Sequence, residues 1–275
     1  MGKVVPFTKM AGAGNDFIVV ESPQGLNLKR LAQQVCDRTN GVGADGLLVL
    51  GPSRRSDYRM RIINADGSEA EMCGNGARCM AAYIVARKTP SKSLFGMETI
   101  AGEILAEAEG ETARVRLSPP VDYRPSVAVR IRGRVIHVAY IDTGVPHVVV
   151  PVAGLKEIDV RGLGRLIRYH AKFKPRGANV NFVERLGPRL IEARTYERGV
   201  EDETKACGTG SVACALVTYL RDHPEEKNTK QARMNVRTAG GEILEVRFTV
   251  EEGCPGEVWL KGSAKFIARG DYFYR

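Results

Sequence analysis

Apolar positions in this chain come mostly in short runs bounded by turn residues. "DFIVV" (16–20), "GLLVL" (46–50), "YRMRIINA" (58–65) and "ARVRL" (113–117) have the length and β-branched content of strands. Helical candidates are fewer. "NLKRLAQQVCDR" (27–38) is one, ending before a glycine-rich turn. "NGARCMAAYIVARK" (75–88) and "TGSVACALVTYL" (209–220) carry apolar or small side chains nearly all round, which predicts buried helices. The pattern as a whole is α+β.

The same pattern occurs twice. "GNDFIVVE" from Gly14 is answered by "GVPHVVVP" from Gly144, and "GADGLLVL" from Gly43 by "GANVNFVE" from Gly177. Cys73 before Gly-Asn-Gly is answered by Cys207 before Gly-Thr-Gly. "GEIL" (102–105) returns identically at 241–244, and "RVRL" (114–117) resembles "EVWL" (257–260). The offset grows from 130 to 143 residues along the series, as loop insertions would produce. Each half therefore reads as one structural unit, with the proline-rich "LSPPVDYRP" (117–125) as the expected junction.

Composition narrows the class. With 275 residues, 43% hydrophobic and 27% charged, the chain can bury a large core, and no apolar run approaches the roughly 20 residues of a membrane span. The N-terminal "MGKVVPFTKMAGAGNDF" lacks the apolar run of a signal peptide, so the expected compartment is the cytosol. The formal charge of +9 raises the alternative of a nucleic-acid-binding protein. Its basic residues are interspersed with acids, densest in "RGLGRLIRYHAKFKPRG" (161–177) and "RIRGR" (130–134), with no nucleic-acid-binding motif around them; a solvated basic surface is the simpler reading. Of the six cysteines, the pairs Cys73/Cys79 and Cys207/Cys214 do not have zinc-site spacing, and the four histidines form no cluster in sequence.

The thiols carry the chemistry. If a helix starts immediately after each, Cys73 and Cys207 sit where unpaired N–H groups and the helix dipole favour negative charge, which lowers a thiol's pKa. The glycines let the backbone turn sharply and present N–H groups to a carboxylate. Cys36, Cys79, Cys214 and Cys254 read as small buried core residues instead. A nucleophilic cysteine needs no twin, whereas exchanging a proton between the two faces of a stereocentre needs one thiolate and one thiol. The pair points to racemisation or epimerisation. A dithiol redox pair would hold its cysteines closer in sequence.

In order, "GAGNDF", "GVGADGLL", "NADGSEAEMCGNGARC", "GVPH", "NVNFVE" and "TYERGVEDETKACGTG" resemble the motifs of the diaminopimelate epimerase family over nearly the whole chain. The resemblance implies two pseudo-symmetric lobes, each a mixed β-sheet curled into a barrel around a central helix. It places the N-terminal lobe at 1–118, completed by about 263–275, the C-terminal lobe at 119–262, and the active site in the cleft between them. The implied activity is cofactor-independent epimerisation of LL-2,6-diaminopimelate to the meso form, in lysine and peptidoglycan-precursor biosynthesis, by a cytoplasmic homodimer.

Carried over position by position, Cys73 and Cys207 are the catalytic pair, and Gly74, Asn75, Gly208 and Thr209 cradle the reacting carboxylate. Asn15, Asn64, Asn179, Glu197 and Arg198 hold the rest of the substrate, while His147 and Glu197 tune the thiols. Arg198 can clamp a carboxylate and Glu197 can pair with an ammonium. The chain departs from the family pattern at Ala11, Gly46 and Val145, which puts contacts there in question. The rival on the same fold is a proline or hydroxyproline racemase; it has no second amino-acid centre to hold, so "NADGSE" and "YERG" favour diaminopimelate.

Overall fold

The short apolar runs form strands, and the computed structural model, which describes residues 3–89 and 94–275, arranges them in one pattern twice over. The first succession is β1 (Lys3–Gly12), β2 (Asn15–Glu21), α1 (Leu28–Val35), β3 (Gly46–Gly51), β4 (Tyr58–Asn64), β5 (Glu69–Ala70), α2 (Gly74–Arg87), β6 (Phe95–Thr99), β7 (Gly102–Glu109) and β8 (Thr112–Leu117). β9 (Val121–Ile131) precedes the second: β10 (Arg134–Asp142), β11 (Pro146–Pro151), α3 (Val160–Arg168), β12 (Asn179–Gly187), β13 (Leu190–Glu197), β14 (Asp202–Thr204), α4 (Gly208–Asp222), β15 (Thr229–Thr238), β16 (Ile243–Glu251) and β17 (Cys254–Ser263). β18 (Lys265–Tyr274) ends the chain. The chain divides into Met1–Arg116 with Lys261–Arg275 as one unit and Leu117–Leu260 as the other.

Each unit holds a mixed sheet. In the first, β2 and β3 run parallel, as do β4 and β6, while β1–β2, β3–β4, β6–β7 and β7–β8 are antiparallel, and β18 pairs with β1. The second repeats the scheme: β11–β12 and β13–β15 are parallel, β10–β11, β12–β13 and β15–β16 antiparallel, and β9 takes the place on β10 that β18 has on β1. The sheet wraps one helix in each unit. α2 packs on β1, β2, β3, β4 and β7, and α4 on β10, β11, β12, β13, β15 and β16. Hence the side chains from Asn75 to Ile84 and from Gly210 to Val217 are buried, as their uniformly small and apolar sequences predict.

α1 is amphipathic, with one buried face. The Asn27 side chain caps it by accepting from the Arg30 N–H at 3.1 Å, and Leu31, Ala32 and Val35 face a core with Ile18, Leu47 and Val49. The sequence pattern did not reveal its counterpart α3, which overlaps the basic stretch 161–177. Two glycines lower its helix propensity, but Gly164 is required for packing, since a Cβ there would lie 2.5 Å from Cβ of Tyr196. Asp159 caps it through the Gly162 N–H at 2.8 Å. The arginines around it engage acids: Arg161 with Asp202, Arg168 with Glu201 and Arg176 with Asp142.

Two expectations change. The junction 117–125 shrinks to residues 118–120, because β9 already begins at Val121 and runs through Pro125. A proline is tolerated there because the β9–β10 ladder shifts register around it. The second change concerns register. Matching the strings from Gly43 and Gly177 sets Leu47 against Asn181, but the ladders pair Phe17 with Gly46 and His147 with Asn179. Leu48 faces Ile62 just as Asn181 faces Thr195, so Leu48 is the counterpart of Asn181. From the matched glycines, two residues (177–178) precede β12 and three (43–45) precede β3, a one-residue slip that would otherwise reverse which face each side chain occupies.

Candidate active site

Cys73 and Cys207 are the N-cap residues of α2 and α4. Both are extended, with φ/ψ of −144°/114° and −126°/112°, and both are half-buried. Their carbonyls accept the first helical bonds, from Ala77 and Ser211, each at 2.8 Å. The preceding amides of the first turn, on 74–76 and 208–210, have no acceptor within the helix, so each thiol sits beside a cluster of N–H donors at the positive end of a helix. The other cysteines differ. Cys36, Cys79 and Cys214 are buried, and burial pushes the Cys36 thiol up to about 12 and Cys214 further still. Cys254, expected in the core, is exposed at the start of β17.

In the first unit a directed chain of hydrogen bonds runs outward from α2. Arg78, fully buried, donates to Asn75 Oδ1 at 2.8 Å, and Asn75 Nδ2 donates to Asn15 Oδ1 at 2.7 Å. Asn15 Nδ2 donates to Asp45 at 2.9 Å, and Arg38 binds Asp45 at 2.7 Å. Arginine can only donate and a carboxylate can only accept, so the two ends fix the orientation of both amides between them. Asn15 and Asn75, both singled out from the sequence, are thereby joined. Asn64 is apart from them: its side chain donates to Ser68 Oγ at 2.9 Å across the turn after β4.

In the second unit the side chains beneath α4 come from three neighbouring strands. His147 on β11 and Asn181 on β12 are completely buried, and Thr195 on β13 nearly so. Thr195 donates to Asn181 Oδ1 at 2.9 Å; Asn181 Nδ2 contacts the Val148 carbonyl at 3.0 Å and His147 Nδ1 at 3.1 Å. His147 Nε2 lies 3.0 Å from Thr209 Oγ1, which lies 3.6 Å from the Cys207 sulfur. Burial, aided by the positive charge of Arg198, lowers the His147 pKa to about 3, so the ring is neutral at physiological pH. Thr209 is further held by Thr143, which donates to its carbonyl at 3.0 Å.

Asn179 joins two other sequence candidates. Its Nδ2 donates to the Pro146 carbonyl at 3.2 Å, and its Oδ1 accepts from the Arg198 N–H at 2.8 Å. Glu197 closes β13, and burial raises its carboxyl above the ordinary glutamate value. Among the described residues neither Glu197 nor Arg198 belongs to an ion pair, so the pair is not a mere surface salt bridge. No group of three or more His, Cys, Asp or Glu side chains among the described residues could hold a metal ion.

Sequence reasoning missed Arg78, Asp45, Asn181 and Thr195. Only Arg78 left a signal, as a charge inside a helix otherwise apolar on every face. The counterparts of His147, Asn181 and Thr195 in the first unit are Phe17, Leu48 and Ile62, all apolar. The repeat thus shares its backbone but not the chemistry beneath its two helices.

Comparison with known proteins bears on the family and the fold. The sequence profile of diaminopimelate epimerase matches residues 7–121 and 139–267. A diaminopimelate epimerase of Aquifex aeolicus is 39% identical, the match covering 96% of each chain. Among solved structures, a Bacillus anthracis phenazine biosynthesis protein of the PhzF family superposes with TM-score 0.74 over 98% of this chain and 99% of its own, at 17% identity. A hydroxyproline epimerase from Agrobacterium vitis does so with TM-score 0.70 over 99% and 94%, at 13% identity. Those two likenesses establish a shared α+β fold and extend no further. The full-length match at 39% identity is of another order, and by it the chain belongs to the diaminopimelate epimerase family.

Proposed function

We propose that this protein epimerises LL-2,6-diaminopimelate to the meso isomer, an isomerase reaction carried by Cys73 and Cys207 as a thiolate and a thiol on opposite faces of the α-carbon. The observation that bears most weight is the duplicated N-cap cysteine, one per unit, each followed by a glycine-bearing first turn. An α-proton is a weak acid, and its removal leaves an electron pair that must pass into the adjacent carboxylate. Helix N-termini are suited to that charge, because their unbonded N–H groups are fixed before the reaction starts.

One thiolate takes the α-proton and becomes a thiol, while the other thiol delivers a proton to the opposite face and becomes the thiolate. The carbon is inverted, no electrons are lost or gained, and the roles of the sulfurs are exchanged. The reverse reaction uses the exchanged pair directly. No cofactor is required by this scheme.

The remaining candidates serve the distal, non-reacting centre. Glu197, half-buried and short of ion pairing, gains a partner when an ammonium binds, and Arg198 offers a planar fork to a carboxylate. Asn15, Asn64 and Asn179 supply donors and acceptors to that distal centre, whereas Gly74, Asn75, Gly208 and Thr209 supply the first-turn amides that cradle the reacting carboxylate. We carry the same reading to a homodimeric, cytoplasmic enzyme of lysine and peptidoglycan-precursor synthesis, as the family membership suggests. Incubation of the reduced protein with LL-diaminopimelate in deuterated water tests the reaction. Meso product with deuterium at the α-carbon is expected, and neither Cys73→Ala nor Cys207→Ala should form it; a wild type that forms no meso isomer sinks the reading.

A further inference from the structure

We propose that Asn181, clamped by Thr195, is a positioning residue for Cys207: it fixes the tautomer of His147 so that the Thr209 hydroxyl is turned to donate to the sulfur. The inference rests on the reading of Cys207 as a catalytic thiol, but its geometry is complete within the second unit.

The proton positions follow from what each atom can do. The Val148 carbonyl can only accept, so the atom 3.0 Å from it must be the amide nitrogen of Asn181, not the oxygen. That places the amide oxygen toward Thr195, which donates to it at 2.9 Å. The nitrogen has two hydrogens; one serves Val148 and the other points at His147 Nδ1, 3.1 Å away. Nδ1 must therefore present its lone pair. A neutral imidazole carries one proton, so it resides on Nε2 and is donated to Thr209 Oγ1 at 3.0 Å. The hydroxyl has accepted, and its own hydrogen is left to turn toward the Cys207 sulfur at 3.6 Å. A hydrogen bond from a hydroxyl favours the thiolate over the thiol, so the chain stabilises the basic form of Cys207.

With the other tautomer the chain would run backward. Nε2 would accept, the Thr209 hydroxyl would donate to it, and the sulfur would lose the hydrogen bond from Thr209. Three buried side chains from three strands are committed to preventing this, and the same three positions in the first unit are Phe17, Leu48 and Ile62. A purely structural role would be served as well by the apolar set, because burying polar groups costs stability unless each is satisfied. The polar set is confined to the unit where the first-turn residue is Thr209, with a hydroxyl to be aimed, and is absent from the one where it is Asn75.

Nitrogen-15 spectra of the imidazoles give the direct test, since the chain has four histidines and His147→Gln identifies the resonances. The wild type should show a protonated Nε2 and an unprotonated Nδ1 on His147; a protonated Nδ1 overturns the inference. The second readout is the rate at which iodoacetamide alkylates Cys207, followed by peptide mass spectrometry. Asn181→Leu and Thr209→Val should each slow it about tenfold near neutral pH, the worth of one hydrogen bond to a charged group, and Thr209→Ser should restore most of it. Wild-type rates in Thr209→Val would overturn the inference. Full activity in Cys207→Ala would remove the proposed function while leaving the tautomer as observed, whereas a protonated Nδ1 with an inactive Cys207→Ala would remove only the relay.

Discussion

Gly210→Ala separates the two halves of the repeat. Gly210 is the third residue of α4, and a Cβ built there would lie 2.4 Å from Asn181 Oδ1 and 3.2 Å from both Cβ and Sγ of Cys207. Asn181 cannot easily yield, because its amide is completely buried and bonded to Thr195, Val148 and His147. Restoring ordinary contact requires a shift of about 1 Å in the amide, the thiol or the helix start, and misplacement on that scale costs roughly 100-fold in rate. The stability effect is smaller. Alanine gains about 1 kcal/mol over glycine in a helix, overpacking costs about 1–3 kcal/mol, and the net loss of about 0–2 kcal/mol lowers Tm by no more than about 8 °C.

Gly76→Ala is the matched control at the equivalent position of α2. Its Cβ would meet Leu48 Cδ2 at 3.0 Å, Phe17 Cζ at 3.6 Å and Cys73 Cβ at 3.7 Å, so a leucine methyl need move only a few tenths of an ångström. Deuterium incorporation into diaminopimelate, with Tm measured on the same samples, should show kcat reduced about 100-fold in Gly210→Ala and by less than about tenfold in Gly76→Ala. If Gly210→Ala turns over within about threefold of wild type, or if the two variants lose activity equally, the argument that the polar set beneath α4 is rigid and functional fails.

Other perturbations address the remaining groups. Because burial raises the Glu197 carboxyl above its unfolded value, its ionisation costs stability as pH rises through the folded pKa; Glu197→Gln should raise Tm at pH 7–8, with the gain vanishing below about pH 4. The same variant should lose about 10–100-fold in kcat/KM for diaminopimelate, and a drop in Tm at pH 8 would contradict the assignment. Arg78→Met removes the donor end of the chain through Asn75 and Asn15, so KM should rise more than kcat falls, measured by steady-state epimerisation; an unchanged KM would detach that chain from the substrate. In native protein at pH 8, alkylation should reach exposed Cys254 but spare Cys36, whose thiol is pushed up to about 12; peptide mapping before and after denaturation reads this, and modification of native Cys36 would refute it.

The backbone of the repeat was legible because short apolar runs, glycine turns and the two cysteine motifs each leave a local signature. "GEIL" and its copy fall on β7 and at the start of β16, and both thiols fall at N-caps. What was not legible depended on packing between strands. α3 was hidden by Gly162 and Gly164, whose low propensity is overridden by the contact of Gly164 with Tyr196. The register of β12 was hidden because a string match does not count residues in the preceding turn, and one residue decides whether Asn181 or its neighbour faces α4. Asn181 and Thr195 lie 14 residues apart and become partners only when β12 and β13 pair.

That register has a consequence for how a duplicated fold catalyses an asymmetric task. The two thiols require the same backbone device, and duplication supplies it: an extended N-cap cysteine, a first turn with a helical glycine in it, and a helix buried in a mixed sheet. Yet the two faces of the substrate carbon are not equivalent, since the carbon bears a second amino-acid centre on one arm. Identical surroundings would treat both thiols alike. Here Phe17, Leu48 and Ile62 lie beneath one helix, while His147, Asn181 and Thr195 occupy the same ladder positions beneath the other. The first set contributes packing without polar groups, and the second, with His147 in the tautomer proposed above, turns the Thr209 hydroxyl toward one sulfur. Substituting three inward-facing strand positions is enough to differentiate the thiols, because a strand's alternate side chains can change character without disturbing the ladder that holds them.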